Sequence, residues 1–296
     1  MNLYYFKRPE GNFGDDLNPW LWSRLLPHMD QLDIADWCVG IGTILDPRLD
    51  ELRGTKLILG SGVRVRGWSP ALRDDWKVGF VRGLLSSEAL GIDPALAICD
   101  PALLVAKFVQ PDSDRDQQRV GFIPHYHTAM AFDCREIAER SGTTLIEPND
   151  DVENVLAAIN SCDRVVCEAM HGAIVADALG IPWKRVNILS WRKERQDVAS
   201  FKWADWAGQF GLRHEADRKP SVISSGRGSL RFVNRLARRL NQRVIAREVR
   251  MCATTSGFQV SAERIRNQRS EAALLSIDRL KSDTQEQTAS RRDSTY

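Results

Sequence analysis

Glu168 and His171 stand three residues apart in Cys167-Glu168-Ala169-Met170-His171-Gly172-Ala173-Ile174-Val175-Ala176-Asp177-Ala178-Leu179-Gly180-Ile181-Pro182-Trp183, a stretch that pairs a carboxylate with an imidazole. An imidazole titrates near neutral pH and serves as acid or base; a carboxylate beside it can orient it or take a proton itself. Arg164-Val165-Val166-Cys167 reads as a buried strand. Ala173, Ile174, Ala176, Ala178 and Leu179 form the apolar run of a short helix, which Gly180-Ile181-Pro182 stops. Both groups therefore sit where the carboxyl end of a strand meets the start of a helix. Ligands of open α/β sheets bind outside such strand ends, and the helix N-terminus adds unpaired N–H groups that suit an anion.

Three other segments offer chemistry. Gly11-Asn12-Phe13-Gly14-Asp15-Asp16-Leu17-Asn18-Pro19 follows the first strand, with two glycines and an asparagine that permit a tight turn. Capping the next helix accounts for one of Asp15 and Asp16. The second acid and Asn12 are left to meet a ligand. In Leu59-Gly60-Ser61-Gly62-Val63-Arg64-Val65-Arg66-Gly67, Gly62 lets the backbone approach a ligand, and Arg64 and Arg66 can grip a carboxylate or phosphate. Arg82, in Phe80-Val81-Arg82-Gly83, joins the same cleft edge if the sheet order is sequential. A surface loop with solvated arginines is the plainer alternative. Gly121-Phe122-Ile123-Pro124-His125-Tyr126-His127 brings two histidines to another strand end, where they are acid, base or anion ligand, or simply hydrogen-bonded structural residues. His28 and His214 have no such context. The six cysteines are scattered, never form CxxC and read as small buried hydrophobes, so no metal site is expected.

The elements that must hold these groups alternate. Strands are expected at Leu3–Phe6, Cys38–Ile41, Leu57–Leu59, Val78–Val81, Ala97–Cys99, Val120–Ile123, Thr144–Ile146, Val165–Cys167 and Val186–Leu189. Helices follow Asp15, Ser86, Pro101, His127, Asn149, His171 and Gln196. This is the pattern of an α/β fold with parallel sheets. The polar stretch from Gln110 to Arg119 divides it into two Rossmann-like domains, residues 1–112 and 117–215, facing across a cleft that is the default site.

The 296 residues are 43% apolar with a mean hydropathy of −0.33, ordinary for a soluble globular protein. No apolar run approaches the roughly 20 residues that span a bilayer, and Met1-Asn2-Leu3-Tyr4-Tyr5-Phe6-Lys7 lacks the shape of a signal peptide; the expectation is a cytoplasmic protein. Charge is uneven. Residues 211–296 carry 18 Lys and Arg against 9 Asp and Glu, which leaves 23 against 30 for residues 1–210. Residues 226–250 read as one basic amphipathic helix, with Leu230, Val233, Leu236, Ala237, Leu240 and Val244 on one side and arginines on most of the other. It docks on the body with solvated arginines, or it suits peripheral association with anionic lipid at the inner face of the plasma membrane. No interleaved aromatics or recognised motif point to nucleic acid. Residues 281–296 have almost nothing to bury and read as a disordered tail.

Taken together, four segments resemble the polysaccharide pyruvyl transferase family, in its exopolysaccharide ketal-forming branch. They are Asn12-Phe13-Gly14-Asp15-Asp16-Leu17-Asn18; Gly60-Ser61-Gly62-Val63-Arg64; Val81-Arg82-Gly83-Leu84-Leu85-Ser86 running on to Cys99-Asp100-Pro101-Ala102-Leu103-Leu104; and Glu168 through Trp183. The resemblance implies a GT-B-like pair of lobes, phosphoenolpyruvate as donor substrate with no further cofactor, and a glycan or lipid-linked oligosaccharide as acceptor. It further implies a cyclic pyruvate ketal as product. On this reading His171 is the principal acid/base group, and Glu168 orients it or deprotonates an acceptor hydroxyl. Asn12 and Asp15 hold sugar hydroxyls, with Gly62 and His125 also at the substrate. Many family members carry an arginine two positions before the histidine, where Ala169 stands here, so Arg64 and Arg82 become the candidate donor cations. The competing readings are a GT-B glycosyltransferase that consumes a nucleotide sugar and a non-catalytic glycan-binding relative.

Overall fold

The computed structural model describes residues 1–64, 74–112, 115–190, 196–216, 218–221 and 231–293. Four short strands, β1 (Asn2–Tyr4), β2 (Trp37–Val39), β3 (Lys56–Leu59) and β4 (Trp76–Phe80), pair in parallel and in sequential order. A second parallel sheet contains β5 (Asp116–Ile123), β6 (Thr144–Leu145), β7 (Cys162–Cys167) and β8 (Trp183–Arg185), in the order β6-β5-β7-β8. Val165, Val166 and Cys167 are wholly buried, as expected for a parallel strand covered on both faces. The chain leaves β5 first to one neighbour and later to the other. That reversal opens a crevice beyond the carboxyl ends of β5 and β7, and His125 and His171 follow those two ends.

Helix α1 (Phe13–Leu25) buries Leu17, Leu21, Trp22 and Leu25 at helical spacing. Next come α2 (Leu84–Leu90), α3 (Tyr126–Ala131), α4 (Cys134–Ser141), α5 (Val152–Asn160) and α6 (Met170–Ala178). Helix α6 is buried almost all round because it packs on β7 and α5 and also on the 3-10 turn Pro101–Lys107 of the first half. One apolar core runs from Leu57 and Phe80 through Leu103 and Ile174 to Val165 and Trp183, so the two sheets share it.

After β8 the chain returns to the first sheet. Helix α7 (Gln196–Ala207) meets α2, and the rings of Trp203 and Trp206 stack 5.9 and 5.2 Å from that of Trp183. Helix α8 (Arg231–Thr254) packs on α4. Helix α9 (Glu263–Asp293) lies against β4, where Ser276 Oγ donates to the Gly79 carbonyl at 3.1 Å and Arg269 Nη1 to that of Ala97 at 2.7 Å. Strands β1–β4 lie within residues 1–112 and β6–β8 within 117–215, with β5 starting one residue earlier, yet α7 and α9 cross back.

Several expectations need correction. Ala97–Cys99 is no strand; Ala97 makes an isolated bridge to Val81. The last strand is Trp183–Arg185, not Val186–Leu189: Val186 makes only an isolated bridge to Arg218, and the N–H groups of Ile188, Leu189 and Ser190 go to the Glu168 carboxylate instead of a ladder. The expected disordered tail is helical as far as Asp293, continuing α9 with no Gly or Pro to stop it. The basic helix spans 231–254, and its apolar side differs: Leu240 and Val244 are exposed, while Ile245, Ala246, Val249, Cys252 and Ala253 are buried. Arg66, the stretch 226–230 with Arg227 and Leu230, and the side chains of Val233 and Leu236 lie outside the described residues.

Candidate active site

A cavity of about 240 Å³ opens beyond the ends of β5 and β7 and takes its walls from both halves of the chain. Asn12, Gly14 and Asp15 come from the start of α1, Thr43 from the loop after β2, and Arg48 and Arg64 from the segments beyond it. His125, Tyr126 and His127 follow β5, Ala169 and His171 follow β7, and Lys202 reaches in from α7.

His171 is the second residue of α6, and 15% of its side chain is exposed. Its Nε2 lies 3.7 Å from Asp100 Oδ2, and neither atom has a hydrogen-bond partner. Asp100 is fully buried, and its other oxygen accepts the Ala102 N–H at 3.0 Å to cap the turn that carries it. The ring's other nitrogen faces α1: a Cβ on Gly14 would stand 2.1 Å from Nδ1, so glycine is required there. The imidazole is thus held between a backbone without a side chain and a buried carboxylate.

The two neighbouring acids divide their work. Asp16 Oδ2 accepts the backbone N–H of Asn12 at 2.7 Å, the return bond of a helix cap. Asp15 lines the cavity and accepts from Asn12 Nδ2. Loss of solvent raises the Asp15 carboxyl pKa above its ordinary value; nearby His171 and the Asn12 bond pull the other way without cancelling the rise. Asn18, wholly buried, fastens this helix to the loop after β2 by accepting from Ile41 N at 2.7 Å and donating to its carbonyl at 3.0 Å.

Positive charge reaches the cavity from Arg48, Arg64 and Lys202. Asp46, nearly buried, accepts from Arg48 Nε at 2.9 Å and lies 4.0 Å from Arg64, so one carboxylate orients two guanidinium groups. Asp46 also keeps Arg48 firmly charged, raising its pKa further. Asp205, three residues after Lys202 on α7, ties that helix to the first half: its carboxylate takes Arg82 Nε at 2.9 Å, Ser86 N at 2.9 Å and Ser86 Oγ at 2.6 Å.

That pair corrects the expectation for Arg82. The side chain is wholly buried, pairs with Asp205, donates to Thr43 Oγ1 at 2.7 Å and does not line the cavity. Gly62 is also absent from the cavity wall: a Cβ there would meet the Arg82 guanidinium at 2.2 Å, so its small size serves packing. Glu168 is buried as well. Its Oε2 accepts His125 N at 3.0 Å, and its Oε1 accepts Ile188 N, Leu189 N and Ser190 N at 3.0, 2.7 and 3.0 Å. It ties three loops together and does not line the cavity. His125 lines the cavity, and its Nδ1 accepts His127 N at 3.3 Å to cap α3.

The structure therefore gathers Asn12, Asp15, Arg64, His125 and His171 in one cavity and puts Glu168, Gly62 and Arg82 behind its walls. Arg48, Thr43 and Lys202 carried no sequence signal of their own, whereas Asp100 stood in a quoted segment, just before a proline, as a visible cap. All six cysteines are buried and in no disulfide; burial pushes the thiols of Cys38 and Cys134 up to about 12, which removes those two as nucleophiles. Among the described residues no group of His, Cys, Asp and Glu could hold a metal ion, and no helix is long and apolar enough to cross a membrane.

Residues 51–183 match the family model described as polysaccharide pyruvyl transferase. The chain is 36% identical over 222 residues, 74% of its own length and 68% of the relative's, to the succinoglycan biosynthesis protein ExoV of Rhizobium meliloti strain 1021. No solved structure matches it.

Proposed function

The chain belongs to the polysaccharide pyruvyl transferase family, and from that premise we propose that it moves pyruvate from phosphoenolpyruvate onto a sugar of an exopolysaccharide or its lipid-linked precursor, closing a cyclic ketal. The methylene carbon of the enol phosphate takes a proton, leaving an oxocarbenium-like centre. One sugar hydroxyl adds to that centre, the C–O bond to phosphate breaks, and a second hydroxyl closes the ring. Of the two protons the hydroxyls release, one balances the proton taken up and the other leaves on inorganic phosphate. No electrons are transferred, so the scheme calls on no cofactor.

His171 is the group that delivers and recovers protons, with the Asp100 carboxylate 3.7 Å behind its Nε2. Arg48, Arg64 and Lys202 receive the carboxylate and phosphate of the donor, in place of a cation next to Ala169. Asn12 and Asp15 hold the acceptor hydroxyls; a carboxyl whose pKa is raised is suited to taking a proton from one of them. The order β6-β5-β7-β8 supports a Rossmann-like second lobe, and the cavity walled from both halves supports a GT-B-like cleft facing a first lobe whose parallel sheet runs in sequential order. The division near residues 112–117 then holds for the strands, with α7 and α9 belonging to the first lobe.

The observation that carries the reading is the imidazole of His171, set against the one unpaired oxygen of a buried carboxylate, at a cavity that also takes in three cationic side chains. The test is to incubate the protein with acceptor glycan and either phosphoenolpyruvate or nucleotide sugars. Phosphate release together with a new ketal methyl resonance is expected only with phosphoenolpyruvate. Nucleotide release, or glycan binding without turnover, would overturn the proposal.

A further inference from the structure

Helix α8 carries two apolar stripes, and only one is covered. Ile245, Ala246, Val249, Cys252 and Ala253 are buried in a core shared with α4 and β7. Leu240, Val244 and Met251 are 41%, 37% and 36% exposed. At about 3.6 residues per turn these three fall within an arc of roughly 40°. Arg239, Arg243, Arg247 and Arg250, all exposed, fill an adjoining arc of roughly 80°. Glu248 is the one acid in the sequence of α8, and its Oε2 lies 3.6 Å from Arg218 Nη1, so it does not offset the row.

We propose that this outer face of α8 docks the protein on an anionic lipid surface. The headgroup layer supplies phosphates for the four guanidinium groups, and the acyl boundary beneath accepts Leu240, Val244 and Met251. The argument is charge complementarity joined to an uncovered apolar stripe. A nucleic acid backbone matches the first and leaves the stripe in water, and a second copy of the chain would bring like charges together. The inference does not depend on pyruvyl transfer, since none of these residues lines the cavity.

Vesicle co-sedimentation of the full chain tests it. Vesicles of phosphatidylcholine with about a third phosphatidylglycerol should bind the protein at low salt and release it as salt rises, while pure phosphatidylcholine should not bind. At about 1 kcal/mol per arginine near such a surface, the triple variant Arg239→Gln, Arg243→Gln, Arg247→Gln should partition roughly a hundredfold more weakly. Leu240→Ser with Met251→Ser should weaken binding without changing its salt dependence. Both variants should keep the circular dichroism spectrum and the turnover of a water-soluble acceptor. Equal binding to both kinds of vesicle, binding unaffected by the arginine variant, or capture by soluble polyanions with none by vesicles would overturn the proposal.

Discussion

Two regions of this molecule contain the same kinds of side chain and use them in opposite ways. The polar frame beneath the cavity contains Glu168, with both oxygens taken by four backbone N–H groups, and Arg82, held by Asp205 and Thr43. The cavity wall contains Asp15, His171, whose buried Nε2 has only the Asp100 carboxylate near it, and Arg48 and Arg64, which share Asp46. Glu168 and His171 belong to one strand-to-helix junction, yet only the imidazole meets the cavity. Residue type gave no means of telling frame from wall. Unoccupied bonding capacity at a cavity surface does, because a carboxylate saturated by backbone donors has no lone pair free for a substrate.

The largest expected effect lies on the wall. Replacing His171 with Ala should lower turnover about 10² to 10⁴-fold, the usual contribution of positioned proton transfer, while the unfolding midpoint stays close to that of the parent. Phosphate release as fast as in the parent would remove His171 from the chemistry and erase the contrast.

The frame should answer in a different measurement. Glu168→Gln keeps the shape but turns one acceptor into a donor aimed at backbone N–H groups. It should cost roughly 2–4 kcal/mol of stability in urea unfolding, with activity per folded molecule falling less than in His171→Ala. A variant of full stability and no activity would move Glu168 back into the chemistry.

The junction itself was legible from sequence because every signal in it is local. The apolar run to Cys167, the helical run from Ala173 and the Gly180-Ile181-Pro182 stop fix β7 and α6 within a few residues. The division of labour was not legible because the partners that decide it are remote. Three of the N–H groups that occupy Glu168 come from residues 20 to 22 positions later and the fourth from His125, 43 positions earlier, and Asp205 lies 123 positions from Arg82. Parallel sheets bring such segments together, and no spacing rule anticipates which ones. The misread face of α8 has a similar origin: two apolar stripes share that helix, and packing on α4 and β7 decides which is covered. Asp16, by contrast, was half read, since a cap is a local device and the sequence already allotted one of the two acids to it.

Asp15 supplies the smallest and sharpest test, because it belongs to the wall yet acts on stability. Its carboxyl pKa is raised in the folded protein, chiefly by loss of solvent, so the folded state binds that proton more tightly than the unfolded chain. The sign follows: the stabilising contribution is complete below the unfolded carboxylate value of about 3.9 and disappears as pH climbs through the raised folded value. Above that raised value the ionised Asp15 works against the fold. Asp15→Asn, which keeps the bond to Asn12 within reach, should unfold at a higher urea concentration than the parent at pH 7. The gap should narrow as pH is lowered toward 4, and turnover should drop at every pH. A gap that is absent at pH 7, or that widens on acidification, would show that Asp15 is a satisfied frame residue like Glu168 and that the wall begins only at His171.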